Sequence, residues 1–349
     1  MKYLKKALRL LTINLSVLLG FVFFAHVIHE AFFYEAGDGF DGAMVGNNYF
    51  PSPYIEFKGR PNHGPYKASG YRSEFPRKKE DDTYRIIFLG GSSLVMGEKT
   101  IPDLVEESSR VTLNKKKVEV LNFGVVSSSI RQDLSRLVHE VLDLKPDLVV
   151  FYHGYNELMN PIIGDPRPGY PFNFGINAKN PLAIKRANEI SILDLLVLRS
   201  TLLRQYFPNF VEGFVLQTDK LKRSVGKFSS EWRRKIVNDY WNTLEKIQKI
   251  STSHQFDVAI FFQPVALGEK DFFEESRRFY KEKRENFKLM ANDLVADQRV
   301  KDFKFFDLRS FFKENQENPF RDLVHIKDEY RKSVAKALSE KLLKEVIND

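Results

Sequence analysis

The chain contains no cysteine. Disulfides, thiolate zinc sites and cysteine nucleophiles are therefore excluded, although the compartment is not fixed by this. A metal site is not expected either, because Asp322 and His325 have no further ligands at convincing spacing. Two familiar signatures are incomplete. The stretch GGSSLVMGEKT, residues 90–100, resembles a phosphate-binding loop. Yet five residues separate Gly91 from Gly97, and Glu98 precedes Lys99, where a carboxylate would repel phosphate. A G-x-S-x-G elbow is also missing, because Leu94 stands at its last glycine position. No cofactor is implied.

Charge of one sign is not missing, but it is concentrated. The formal net charge is +8. Residues 1–33 carry Lys2, Lys5, Lys6 and Arg9 against Glu30, and residues 160–235 carry 13 basic and 6 acidic side chains. The remainder is slightly acidic. An excess confined to one end and one insert does not describe a nucleic-acid-binding module. One long apolar run exists, Leu10 to Phe33, of which Leu10 to Ile28 is about long enough to cross a bilayer as a helix. Basic residues precede it, and Glu35, Asp38 and Asp41 follow. The positive-inside rule then puts the N-terminus in the cytoplasm and exports everything after residue 33. A cleaved signal peptide is the competing reading; Ala25 and Ala31 are present, but no clean A-x-A follows the apolar core.

Residues 34–83, rich in Gly, Pro, Tyr and charge, read as a stalk and a wrap on the domain that follows. From residue 84 the pattern alternates. Strands are expected at 84–89, 118–121, 148–152, 258–262 and near 303–306. Helices are expected at about 101–113, 128–144, 231–252, 270–297 and 327–346. The long insert 160–235 interrupts this order. Alternation predicts a parallel five-stranded sheet covered on both faces, with ligands bound beyond the C-terminal strand ends.

The strand ends carry the chemistry-bearing residues. Gly90-Gly91-Ser92-Ser93-Leu94 follows the first strand, and Asn122-Phe123-Gly124-Val125-Val126-Ser127 the second. Gly154-Tyr155-Asn156-Glu157 follows the third, and Asp322-Leu323-Val324-His325 precedes the last helix. A serine needs a base to accept its proton, and histidine is the usual base near neutral pH. An aspartate three residues earlier can hold that ring in one tautomer. An asparagine N–H and backbone N–H groups in tight turns can stabilise an oxyanion.

These blocks, in this order, resemble the SGNH (GDSL) hydrolases. Gly90-Gly91-Ser92 fills the G-D-S block with Gly91 in place of Asp, a variant of membrane-linked members. Gly154, Asn156 and Glu157 match G-x-N-D, and Asp322 and His325 match D-x-x-H. The resemblance spans roughly residues 84–340. It implies a three-layer α/β/α sandwich of flavodoxin-like SGNH type behind an N-terminal transmembrane helix, held at a bacterial inner membrane with its catalytic domain periplasmic. It implies a triad of Ser92, His325 and Asp322, with Ser127 and Asn156 at the oxyanion. Ser127 stands where the family has glycine. Tyr54, Gly70-Tyr71-Arg72 and Gln263-Pro264 also look like features of anchored bacterial relatives.

Several choices stay open at this level. Ser93 is the alternative nucleophile, because its spacing to Gly97 fits G-x-S-L-x-x-G. Gly91, Gly124, His153 and Gly154 are candidate pocket residues, with structural roles as the alternative. The insert, with its apolar stretch Ile190–Leu203 and basic residues Lys220, Lys222 and Arg223, is either a helix packed on the core or a lid near anionic headgroups. The substrate is an acyl ester, or an O-acylated glycan or lipid, and the acceptor is water or a sugar hydroxyl. An inactive, anchored glycan-binding or assembly factor is the other class.

Overall fold

The structure is a computed structural model that describes residues 2–32, 49–75, 78–109, 117–171, 200–207, 225–267 and 281–347. It divides into two units. The first holds helix α1 (Lys2–Phe32). Within it the window Leu8–Ala25 has a mean hydropathy of 2.0 and is wholly exposed. This helix is long and apolar enough to be a membrane anchor or a signal sequence. The proposed lid lies largely outside the described residues, including residues 190–199 and Lys220, Lys222 and Arg223.

The second unit opens with an antiparallel pair, β1 (Tyr49–Ser52) and β2 (Glu56–Gly59). Then comes β3 (Thr83–Gly90), the four-residue α2 (Ser92–Val95) and α3 (Ile101–Ser109). β4 (Lys117–Asn122) leads to α4 (Ile130–Arg136), which widens into a π turn at Leu137–Val141 and tightens at Leu142–Leu144. Lys145 takes a left-handed conformation before Pro146 and ends it. β5 (Leu148–His153) and α5 (Tyr155–Ile163) follow. The first unit's short α6 (Thr201–Tyr206) comes next in the chain. The second unit resumes with α7 (Ser230–His254), β6 (Asp257–Phe262), α8 (Lys281–Ala296), β7 (Phe305–Asp307) and α9 (Asp328–Leu342).

All five expected strands form one parallel sheet in the order β4-β3-β5-β6-β7. Because side chains alternate along a strand, each sheet face needs its own cover. Ile86, Phe88, Val120, Val150 and Phe261 cluster with Val105 of α3 and Val334 and Leu338 of α9. Ile87, Leu89, Val149, Phe151 and Ile260 alternate with these and are equally buried; α4 contacts β3 and α7 contacts β6. The result is a three-layer α/β/α sandwich. Each fully buried side chain of this size contributes roughly 1.5–3 kcal/mol. α7 buries Trp232, Ile236, Tyr240, Trp241, Leu244 and Ile247 along one stripe, and Ser229 Oγ caps its start by accepting from Trp232 N–H at 3.1 Å.

Along α4 and the π turn after it, burial does not follow hydrophobicity at every position. Val138 is 43% exposed, whereas the polar Gln132, Asp133 and Arg136 are buried. The chain runs from β3 out to β4 and then crosses to β5 on the other side. The crevice at this reversal is where such sheets place ligands.

Candidate active site

β3 delivers the chain to Gly91 and the one-turn helix α2. Ser92 Oγ lies 2.7 Å from His325 Nε2. Ser93 points elsewhere: its Oγ accepts from the buried Gln263 Nε2 at 3.3 Å. The structure therefore brings Ser92, and not Ser93, to the imidazole.

His325 is oriented by its own turn. Its Nδ1 is 2.6 Å from Asp322 Oδ2, and Asp322 Oδ1 accepts the backbone N–H of Val324 at 2.9 Å and of His325 at 2.8 Å. Burial alone would raise the Asp322 pKa. The His325 hydrogen bond and charge, with the two backbone N–H groups, outweigh this and hold it below the ordinary carboxylate value. An ionised Asp322 accepts a proton-bearing Nδ1, which leaves Nε2 as the acceptor for the Ser92 hydroxyl. The Asp322 side chain is 54% exposed, so its contribution is orientation more than stability.

The loop after β4 forms the next wall. Asn122 is buried and anchors it, donating Nδ2–H to Leu94 O at 2.7 Å and accepting Gly124 N–H at 2.9 Å. Ser127 has φ 57°, the left-handed region that glycine adopts without strain. The serine thus keeps the backbone conformation that a glycine would take there. Among the described residues, neither the Ser92 nor the Ser127 backbone N–H donates to a protein acceptor.

α5 supplies the third wall. Asn156 Nδ2 donates to Ser128 O at 2.9 Å; its second N–H is not used by this bond. Asn160, one turn on, donates to Ser127 O at 3.1 Å. A Cβ on Gly91 would sit 2.4 Å from Asn156 Nδ2. The residue before Ser92 therefore has no room for a side chain while Asn156 stays in place.

Glu157 stands away from the imidazole. Its buried carboxylate accepts Gly154 N–H at 2.7 Å and Ile130 N–H at 2.9 Å, tying the starts of α5 and α4 together. Burial pushes its pKa up to about 7, against the lowering effect of those backbone donors. Of the candidate pocket residues, His153 is buried edge-on against Tyr240, with Nδ1 3.4 Å from the Tyr240 hydroxyl. Burial drives its pKa down to about 3, so it is neutral. The small cavity bounded by Ser129, Asn156, Asn160, Tyr170, Asp239 and Tyr240 is lined by neither His153 nor Ser92 and His325. Gly124 and Gly154 are packing positions, where a Cβ would meet Leu94 at 2.6 Å and Phe262 at 2.4 Å. Among the described residues, no group of three His, Asp or Glu side chains is placed to hold a metal ion.

The chain is similar in structure to an acetyl xylan esterase with which it shares 19% identity, over 75% of this chain and 99% of that one, at a TM-score of 0.41. It is also similar to an acetylxylan esterase from Geobacillus stearothermophilus, at 14% identity over 74% of this chain and 94% of that one, TM-score 0.40. A GDSL-like lipase from Bacteroides thetaiotaomicron is 11% identical over 76% and 92% of the two chains, TM-score 0.40. No family model and no curated protein matches the sequence.

Two residues behind the site escape the sequence reading. Arg136 Nη1 donates to Phe123 O at 2.7 Å, its Nη2 to Ser128 Oγ at 2.6 Å, and the guanidinium pairs with Asp133. Both side chains are essentially inaccessible. This pair braces the loop that carries Ser127. The available signal was two opposite charges three residues apart, between Ile130 and Leu137 of the helix.

Proposed function

We propose that this protein is a membrane-anchored serine esterase or acyltransferase of the SGNH (GDSL) type. The observation that carries the reading is the line of Ser92 Oγ, His325 and Asp322 at 2.7 and 2.6 Å, at the C-terminal edge of a parallel sheet beside its topological switch. In this reading His325 takes the Ser92 proton as Oγ attacks the ester carbonyl. The Ser92 and Ser127 N–H groups and the free Asn156 N–H stabilise the tetrahedral oxyanion. Collapse breaks the ester C–O bond, and His325 returns the proton to the departing alcohol. The acceptor, water or a sugar hydroxyl, then loses its proton to His325 and attacks the acyl carbonyl. This restores the Ser92 hydroxyl and releases acid or a new ester.

The N-terminal helix supports an envelope substrate, an O-acylated glycan or lipid, met on the exported side of a bacterial inner membrane. The other reading, an inactive glycan-binding or assembly factor, draws on Ser127 in place of glycine. The left-handed backbone of Ser127 weakens that support. A fluorophosphonate probe tests the proposal on the full chain in detergent. Wild type and Ser93→Ala are expected to label, and Ser92→Ala is not. An unlabelled wild type, or equal labelling of Ser92→Ala, would overturn the mechanism.

A further inference from the structure

Ser92 sits on a helix of four residues. A single turn has no cooperative stability of its own, so something else must hold it. Its internal bond, Met96 N–H to Ser92 O at 3.0 Å, closes the turn, and the carbonyls that follow have no helical partner. Side chains from elsewhere take them. Arg331 of α9 donates Nη1–H to Met96 O at 2.5 Å and Nη2–H to Ile326 O at 3.4 Å. Ile326 follows His325 directly, so one guanidinium bridges the serine turn and the histidine loop. Arg72, from the segment ahead of β3, donates Nη2–H to Gly97 O at 2.8 Å and to Glu98 O at 2.9 Å.

Three consecutive carbonyls are thus held by two arginines from opposite ends of the chain. The packing leaves no slack. Gly97 has φ 96°, and a Cβ there would lie 1.3 Å from Arg331 Nη1. Arg72 is delivered by its neighbour Tyr71, which is fully buried and packs 4.6 Å from the Phe123 ring. Ser73 Oγ accepts Asn122 N–H at 2.8 Å. The segment carrying Arg72 is therefore docked on the same loop that leads to Ser127.

We infer that Arg72 and Arg331 are positioning residues that set the Ser92–His325 geometry, and that residues 49–75 are part of the acylating machinery. This rests on the serine-esterase reading. A displacement of about 1 Å at a reacting group costs on the order of 100-fold in rate. Arg72 is the testable member, because it is only half-buried while Arg331 is buried. In the full chain, Arg72→Ala is expected to lower kcat for a short-chain aryl ester by about 10- to 100-fold. KM should change less than about threefold, and the melting midpoint should stay within about 2 °C of wild type. Arg72→Lys, which keeps the charge and N–H donors, should recover part of the loss. A wild-type kcat in Arg72→Ala, or a loss of rate that follows a loss of folded protein, overturns the inference. A wild type that neither hydrolyses the ester nor labels with fluorophosphonate overturns the esterase reading instead.

Discussion

Replacing Asp133 with alanine is expected to cost far more than its distance from the reacting atoms suggests. Asp133 and Arg136 are 0% and 1% exposed at their side chains. Burial lowers the Arg136 pKa only to about 10, so the guanidinium remains charged at neutral pH. Asp133→Ala therefore leaves a buried cation with three neutral acceptors, Phe123 O, Ser128 Oγ and Gly90 O, and only the charge of the nearby Glu140 to offset it, without its paired carboxylate. Breaking such a pair costs about 3–5 kcal/mol, a large share of a typical stability of about 5–15 kcal/mol. At roughly 2–4 °C per kcal/mol, the melting midpoint should fall by about 6–20 °C. Trp232 and Trp241, both fully buried, provide an intrinsic fluorescence readout. The double variant Asp133→Leu/Arg136→Met removes the stranded charge and should recover at least half of the loss. Its esterase rate should stay low, because the loop before Ser127 has lost its brace. A single variant that melts within about 2 °C of wild type, or a double variant no better than the single, would refute the reasoning.

Asp322→Asn should lower kcat by about 10²–10⁴-fold through the wrong imidazole tautomer. Its stability should change by no more than about 1 kcal/mol, since the carboxylate is half-exposed; steady-state kinetics beside a thermal melt separate the two. Gly91→Ala should push Asn156 from its place and lose about 10²–10³-fold in kcat, and a wild-type rate would remove Asn156 from the oxyanion site. His153 and Glu157 give a pH test. Between its ordinary value of 6.5 and about 3, His153 binds a proton only when unfolded, so acidification through that window destabilises the fold. Between about 7 and its ordinary value of 4.5, Glu157 holds a proton more tightly when folded, so acidification stabilises. His153→Phe removes the opposing effect; Glu56, which burial raises to about 8, acts in the same direction as Glu157, so urea titrations should show stability rising from pH 7 to pH 5. A fall over that range would contradict the assignment.

The sheet was legible because its strands are short apolar runs bounded by turn residues: β5 reads LVVFYH and is buried throughout. The four strand-end blocks were legible because serine, histidine, aspartate and asparagine sit where such sheets bind ligands. The choice between Ser92 and Ser93 was not, since both fit a local spacing. It turns on Gln263, 170 residues away, whose amide occupies Ser93. The polar face of α4 was hidden for a related reason. Periodicity assigns burial by hydrophobicity, and Asp133 and Arg136 are buried as an ion pair. Arg72 lay in a segment without periodicity, where only tertiary contacts reveal a role.

Ser92 and His325 are 233 positions apart. The strand that presents Ser92 is the first of the sheet in the chain, whereas the His325 turn lies beyond β7. The other four strands of the sheet are made between them. During synthesis Ser92 therefore emerges well before His325, as an ordinary alcohol with no base beside it. The two side chains meet in a fold where α9 lies beside α3 and Arg331 reaches the Met96 carbonyl. The order of the chain itself keeps this serine apart from its histidine until the fold is complete.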